Sequence, residues 1–148
     1  MIHFTGPPVA SDDIASFSSR FGVAIPADYR NFLLTSNGGV PQHPVFSIHD
    51  HRDAVDSIER FLSLGVDQEH LSLDRYARTF SVYLSHGMLV IAYTGMNSFV
   101  CLDVRMNGFG RVMYIDIEDA LDEHGMKQTY FLADNFAKFI AGLRPESA

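Results

Sequence analysis

Histidines and carboxylates gather at one place in the chain, where His43, His49 and His51 stand beside Asp50 and Asp53. Imidazole and carboxylate together form the donor set of transition-metal sites, so Phe46 to Asp53 would suit metal-dependent hydrolysis. The spacing argues against it. His49 and His51, at i, i+2, share one strand face and lack the i, i+4 helical spacing and glutamate base of a metalloprotease. A solvated polar strand end is the simpler reading, and no cofactor and no metal are expected.

Cys101 is a second candidate, as a nucleophile with His86 or His124 as its base. Its neighbours Phe99, Val100, Leu102 and Val104 make an apolar strand, where a thiol is buried and inert. Asn37-Gly38-Gly39 offers successive backbone N–H groups that can cradle an anion. It follows a helix, however, and no Lys or Arg adjoins it, so a helix stop is favoured. The chain has no Gly-x-Ser-x-Gly elbow, phosphate-binding glycine loop or paired-cysteine zinc motif, so no catalytic residue is assigned.

The acids Asp116, Glu118, Asp119, Asp122 and Glu123 follow the last strand of the reading below, with no basic residue inside the cluster. They form either a solvated loop or short helix, or an electrostatic landing site for a basic partner. In the second case they raise encounter rates and reject wrong partners, while affinity comes from anchor residues. Tyr114 and Tyr130, on either side, are candidate anchors or core residues.

Elements that position these residues follow from pattern. Ser11-Asp12-Asp13 caps and starts a helix carrying Ile14, Phe17 and Phe21 on one face, and Gly22 stops it. Ile25-Pro26-Ala27-Asp28 opens a second helix, with Tyr29, Phe32 and Leu33 as its buried stripe. Val45 to Ile48 reads as the first strand. Ala54 to Leu64 stays open between helix and strand, because both periods find partners there. Leu71 to Leu84 reads as one helix ending at Ser85-His86-Gly87. Strands then follow at Met88 to Tyr93, Ser98 to Val104 and Arg111 to Ile115, joined by turn residues into an antiparallel meander. Asp134 caps a last helix with Phe136, Phe139, Ile140 and Leu143 on one face before Pro145. Helices flanking a run of strands make an α+β domain.

Composition supports one soluble domain, 1–148, with short frayed ends: 148 residues, 47% apolar and 20% charged, are enough to bury a core without disulfides. The single cysteine points to a reducing compartment. Met1 to Pro8 lacks a basic region followed by an apolar run, and the longest apolar stretch, Met88 to Tyr93, is far too short for a membrane helix, so a cytoplasmic protein is expected. A net charge of −7 repels phosphate backbones, excluding direct nucleic-acid binding, and would attract a basic protein.

Three segments together resemble the SUKH superfamily, the group built around the Smi/Knr cell-wall regulators of fungi and many bacterial relatives. They are Phe21 to Leu34 running into Asn37-Gly38-Gly39, then Leu89 to Ala92 with Phe99 to Arg105 and Gly110-Arg111-Val112, and finally Asn135 to Leu143. Thr94-Gly95-Met96-Asn97-Ser98 departs from the Gly-rich hairpin of many relatives. The resemblance implies a bent antiparallel sheet flanked by helices and favours a strand over Ser57 to Leu64. It also implies a non-catalytic binding protein of the immunity type, which neutralises a cognate toxin domain, often a nuclease. A scaffold or regulator with several partners is the alternative, and a metal-dependent hydrolase using His49, Asp50 and His51 is the third reading.

Overall fold

The computed structural model describes residues 1–146. Strand β1 (Ile2–His3) is followed by helices α1 (Ser11–Phe21) and α2 (Ala27–Thr35), then β2 (Val40–Pro41), β3 (Val45–Ile48) and β4 (Ala54–Phe61). Helices α3 (Leu73–Thr79) and α4 (Ser81–Ser85) precede β5 (Met88–Thr94), β6 (Phe99–Asp103), β7 (Val112–Ile115), β8 (Tyr130–Ala133) and α5 (Phe136–Ala141). β3 to β8 form a six-stranded antiparallel sheet in chain order, and β1 pairs with β2 in a separate ladder. The fold is α+β, with a meander at its centre.

Both faces of the sheet are covered, which explains why β5, β6 and β7 read as almost unbroken apolar runs. Phe61, Ala92, Val100 and Tyr114 are successive cross-strand partners and share one face. On that face Phe61 meets Phe32 of α2 at 5.2 Å and Phe136 of α5 at 5.7 Å. Phe99 points the other way, with the rings of Tyr76, Phe80 and Tyr83 within 6.3 Å of it. Among the described residues no helix is long and apolar enough to cross a membrane.

The sheet is bent, as the resemblance implied. Register shifts interrupt β4 between Ile58 and Arg60, β5 between Val90 and Ala92, and β8 between Phe131 and Ala133, opposite Val112 and Met113. The sheet thereby curls until β3 approaches β8. The first shift also explains the ambiguity at 54–64: the extra residue puts buried Ile58 and Phe61 three apart, which imitates a helical period inside a strand.

Several local expectations are corrected. Ser11 is the first helical residue and not the cap; Ala10 holds that place, its N–H donating to Asp13 Oδ2 at 2.8 Å. Asn135, not Asp134, caps α5, its side chain accepting from Lys138 N at 2.8 Å. The helix expected over Leu71 to Leu84 breaks at Phe80, which lets both Phe80 and Tyr83 turn onto Phe99. The strand Tyr130–Ala133 goes unread in the sequence, and Val45–Ile48 is preceded by the β1–β2 ladder. That ladder ties down the N-terminal end expected to fray; at the other end Arg144 pairs with Val45, and residues 147–148 lie outside the described residues.

Asn37 is where three segments are joined. Its Nδ2 donates to Pro7 O at 2.8 Å and Leu64 O at 2.9 Å, while its Oδ1 accepts from Leu64 N at 2.8 Å. Gly38, at φ +83°, lies against the Leu62 carbonyl, and a Cβ there would stand 2.5 Å from that oxygen. Asn37-Gly38-Gly39 is thus a helix stop that braces the chain.

Candidate protein-binding face

The five acids lie in the loop between β7 and β8, so they precede the last strand of the sheet. The loop is shaped by its own side chains. Asp116 Oδ1 accepts from Glu118 N at 2.9 Å, and Asp122 Oδ1 accepts from His124 N at 2.8 Å and Met126 N at 3.0 Å. Such short-range carboxylate-to-amide bonds are why Asp suits tight turns. The Met126 and His124 amides also hold the Asp122 carboxyl below the usual carboxylate range.

Groups from elsewhere fasten this loop. Because the sheet curls, the turn after β3 reaches it, and His51 Nε2 lies 2.8 Å from Asp116 Oδ2. The His51 ring stacks on Tyr130 with centroids 4.2 Å apart, and Tyr130 donates its hydroxyl to Asp119 Oδ2 at 2.8 Å. Burial and the Asp119 carboxylate push the Tyr130 hydroxyl up to about 12, so it stays a donor. Lys127 Nζ donates to the Asp119 carbonyl oxygen. Partial burial works to raise Asp116, but the Glu118 amide and His51 outweigh it and hold the carboxyl below its ordinary range. Glu118, Asp122 and Glu123 remain exposed on this fixed frame.

Ile117 and Leu121 stand among them, 44% and 60% exposed. Sequence reasoning passed over both. Their signal was two aliphatic side chains inside an acidic loop with no helical or strand period to bury them. An apolar anchor ringed by charge is the pattern of an interface centre.

Tyr114 and Tyr130 take the core role. Tyr114 is 3% exposed and donates to Asp56 Oδ2 at 2.6 Å, and Tyr130 is 7% exposed beneath His51. Neither ring is placed to anchor a partner. Asp56, itself buried, also accepts from Ser57 N at 2.7 Å and Met96 N at 3.2 Å, tying β4 to the β5–β6 turn.

The histidine-rich stretch does not share a strand face, because β3 ends at Ile48 and residues 49–53 turn, with Arg52 and Asp53 at positive φ. His43 is exposed, and His49 pairs with Asp53 at 3.2 Å in solvent. Asp50 is exposed. Among the described residues His51 alone of these joins a cluster: its nitrogen and the carboxylate oxygens of Asp116 and Asp119 lie within 4.8 Å of one another. Three such donors can hold a divalent cation, but each is already engaged by the hydrogen bonds described.

Cys101 is fully buried, and burial pushes its thiol far up, leaving it protonated and without nucleophilic character. Sequence reasoning also missed Asp103, which is fully buried yet charged. Arg105 grips it through two guanidinium hydrogen bonds of 3.0 and 2.8 Å and its backbone N–H at 3.0 Å, and Arg111 adds a fourth at 3.0 Å.

A family model described as the SMI1 / KNR4 family (SUKH-1) matches residues 8–142 of the chain. No curated protein matches the sequence significantly.

Proposed function

Because the chain belongs to the SMI1 / KNR4 family (SUKH-1), we propose that it is a cytoplasmic, non-catalytic immunity protein that occludes a basic toxin domain. The observation that carries this reading is the fixed acidic loop. Exposed Glu118, Asp122 and Glu123 adjoin exposed Ile117 and Leu121 along the loop, on a frame held by His51, Tyr130 and Lys127. An inhibitor must bind tightly, and a picomolar complex corresponds to about −16 kcal/mol. That value is reachable when side chains and loop are ordered before the encounter, which removes part of the entropic cost of binding. The acids steer a basic partner in, and the aliphatic pair supplies surface that is dehydrated on contact.

The test is capture of partners by the tagged chain from its native lysate at moderate salt. One stoichiometric basic protein, toxic when expressed alone, supports the proposal. Several substoichiometric partners would move the reading to a scaffold or regulator.

A further inference from the structure

Although the chain carries a net charge of −7, one cleft of about 920 Å³ is lined by Arg20, Arg78 and Arg105 with no carboxylate among its lining residues. It lies where the end of α1 meets α3, α4 and the segment after β6. The positive charge there is only partly cancelled. Arg20 pairs with Asp74 at 2.8 Å, and Arg105 shares the single carboxylate of Asp103 with Arg111. Arg78 makes no ion pair among the described residues. Arg105 owes its course to Gly87, whose missing side chain leaves the space that the arginine's Cγ fills. Val23 and Leu84 give the cleft an apolar lining.

We infer that this cleft binds a short acidic segment of a partner polypeptide, whose carboxylates meet Arg78 and Arg105 while an aliphatic side chain sits against Val23 and Leu84. Guanidinium groups match carboxylates in planar, paired geometry, and half-exposed arginines bind without a large desolvation cost. A compact phosphate fits less well: such sites use helix N-termini, whereas this cleft is lined by the C-terminal end of α1, with Phe21 and Gly22, and the N-terminal residue Ser81 that also lines it opens a helix of only 5 residues. A long polyanion is repelled by the charge of the whole chain. The cleft shares no lining residue with the acidic loop and meets it at His86, whose ring lies 6.5 Å from that of His124, so variants at Arg78 and Ser81, which take no part in that contact, test the cleft apart from the loop.

The probe is a short fluorescein-labelled peptide of Asp, Glu and Leu, followed by anisotropy at low salt and by amide shifts of the ¹⁵N-labelled chain. The expected result is a Kd on the order of 10–100 µM, with shifts at Gly22, Ser81, Gly87 and Arg105. Arg78→Glu should weaken binding by about tenfold or more, and Ser81→Glu, which places a charge on an exposed residue of the same cleft, should do likewise. Glu59→Lys, at an exposed residue outside the cleft lining and outside the acidic loop, should leave it at least as tight. No binding, shifts confined to other surfaces, or full affinity in both cleft variants would overturn the proposal. Cleft shifts given by inorganic phosphate but not by the peptide would overturn it too.

Discussion

His51 and Asp116 are 65 residues apart in the chain, and their side chains meet at 2.8 Å. The bond exists because a curled sheet carries the turn after β3 to the loop before β8, and it converts a run of acids into a surface of fixed shape. Below His51, Tyr130 continues the chain of contacts to Asp119.

Replacing His51 by Ala removes a hydrogen bond and a ring stack, and should destabilise the protein by about 1–2 kcal/mol. Amide exchange at Glu118 and Asp119 should quicken, because the loop loses its outside tie. His51→Phe keeps the stack and should recover part of the stability. Unchanged exchange in His51→Ala would show that the loop holds its shape without that residue.

Glu118 and Glu123 are exposed and carry the loop's charge without its framework bonds. Reversing both to Lys should shift stability by no more than about 0.5 kcal/mol. Association with a basic partner should slow by about tenfold at low salt and lose most of its salt dependence. Stopped-flow mixing at several ionic strengths measures both quantities. Asp119 and Asp122 are poorer choices, since their carboxylates also hold Tyr130 and the 124–126 turn.

Burial alone would raise the Asp103 carboxyl, but hydrogen bonds from Arg105 and Arg111 outweigh it and hold it below the ordinary range. A folded-state value below the unfolded one, near about 3.9, gives stability that is present above that pH and lost as pH falls through the folded value. Asp116 acts with the same sign. Asp103→Asn should cost about 2 kcal/mol at neutral pH, less than a fully buried pair because both arginines reach solvent. The difference from wild type should shrink on acidification towards about pH 3, as followed by urea unfolding across pH. A difference independent of pH would contradict the charged reading of Asp103.

Asn37→Ala leaves the Leu64 amide and two carbonyls without their partner in a buried place, and should cost about 2–4 kcal/mol. Chemical denaturation measures it. A loss below about 0.5 kcal/mol would mean that water replaces the side chain.

Legibility in the sequence tracked burial and distance. β5 to β7 were readable because strands covered on both faces are apolar throughout, and the glycine turn after α2 because positive φ needs particular residues. β4 was not, because its bulge shifts the period, and α3–α4 were not, because Phe99 dictates their break from another part of the chain. Of the face, the acids showed as a cluster. Its shape did not, since His51 approaches it only after the sheet has curled. Asp56, within β4, and Asp103, at the end of β6, look like ordinary strand acids until the groups that satisfy them, such as Tyr114 and Arg111, arrive from other strands or turns.

Neutralisation by contact is tested by titrating the toxic activity of the captured basic partner with the purified chain. Activity should fall linearly to background at equal amounts of the two proteins, and the Glu118→Lys, Glu123→Lys chain should inhibit more slowly. Full partner activity in the presence of excess chain would contradict it.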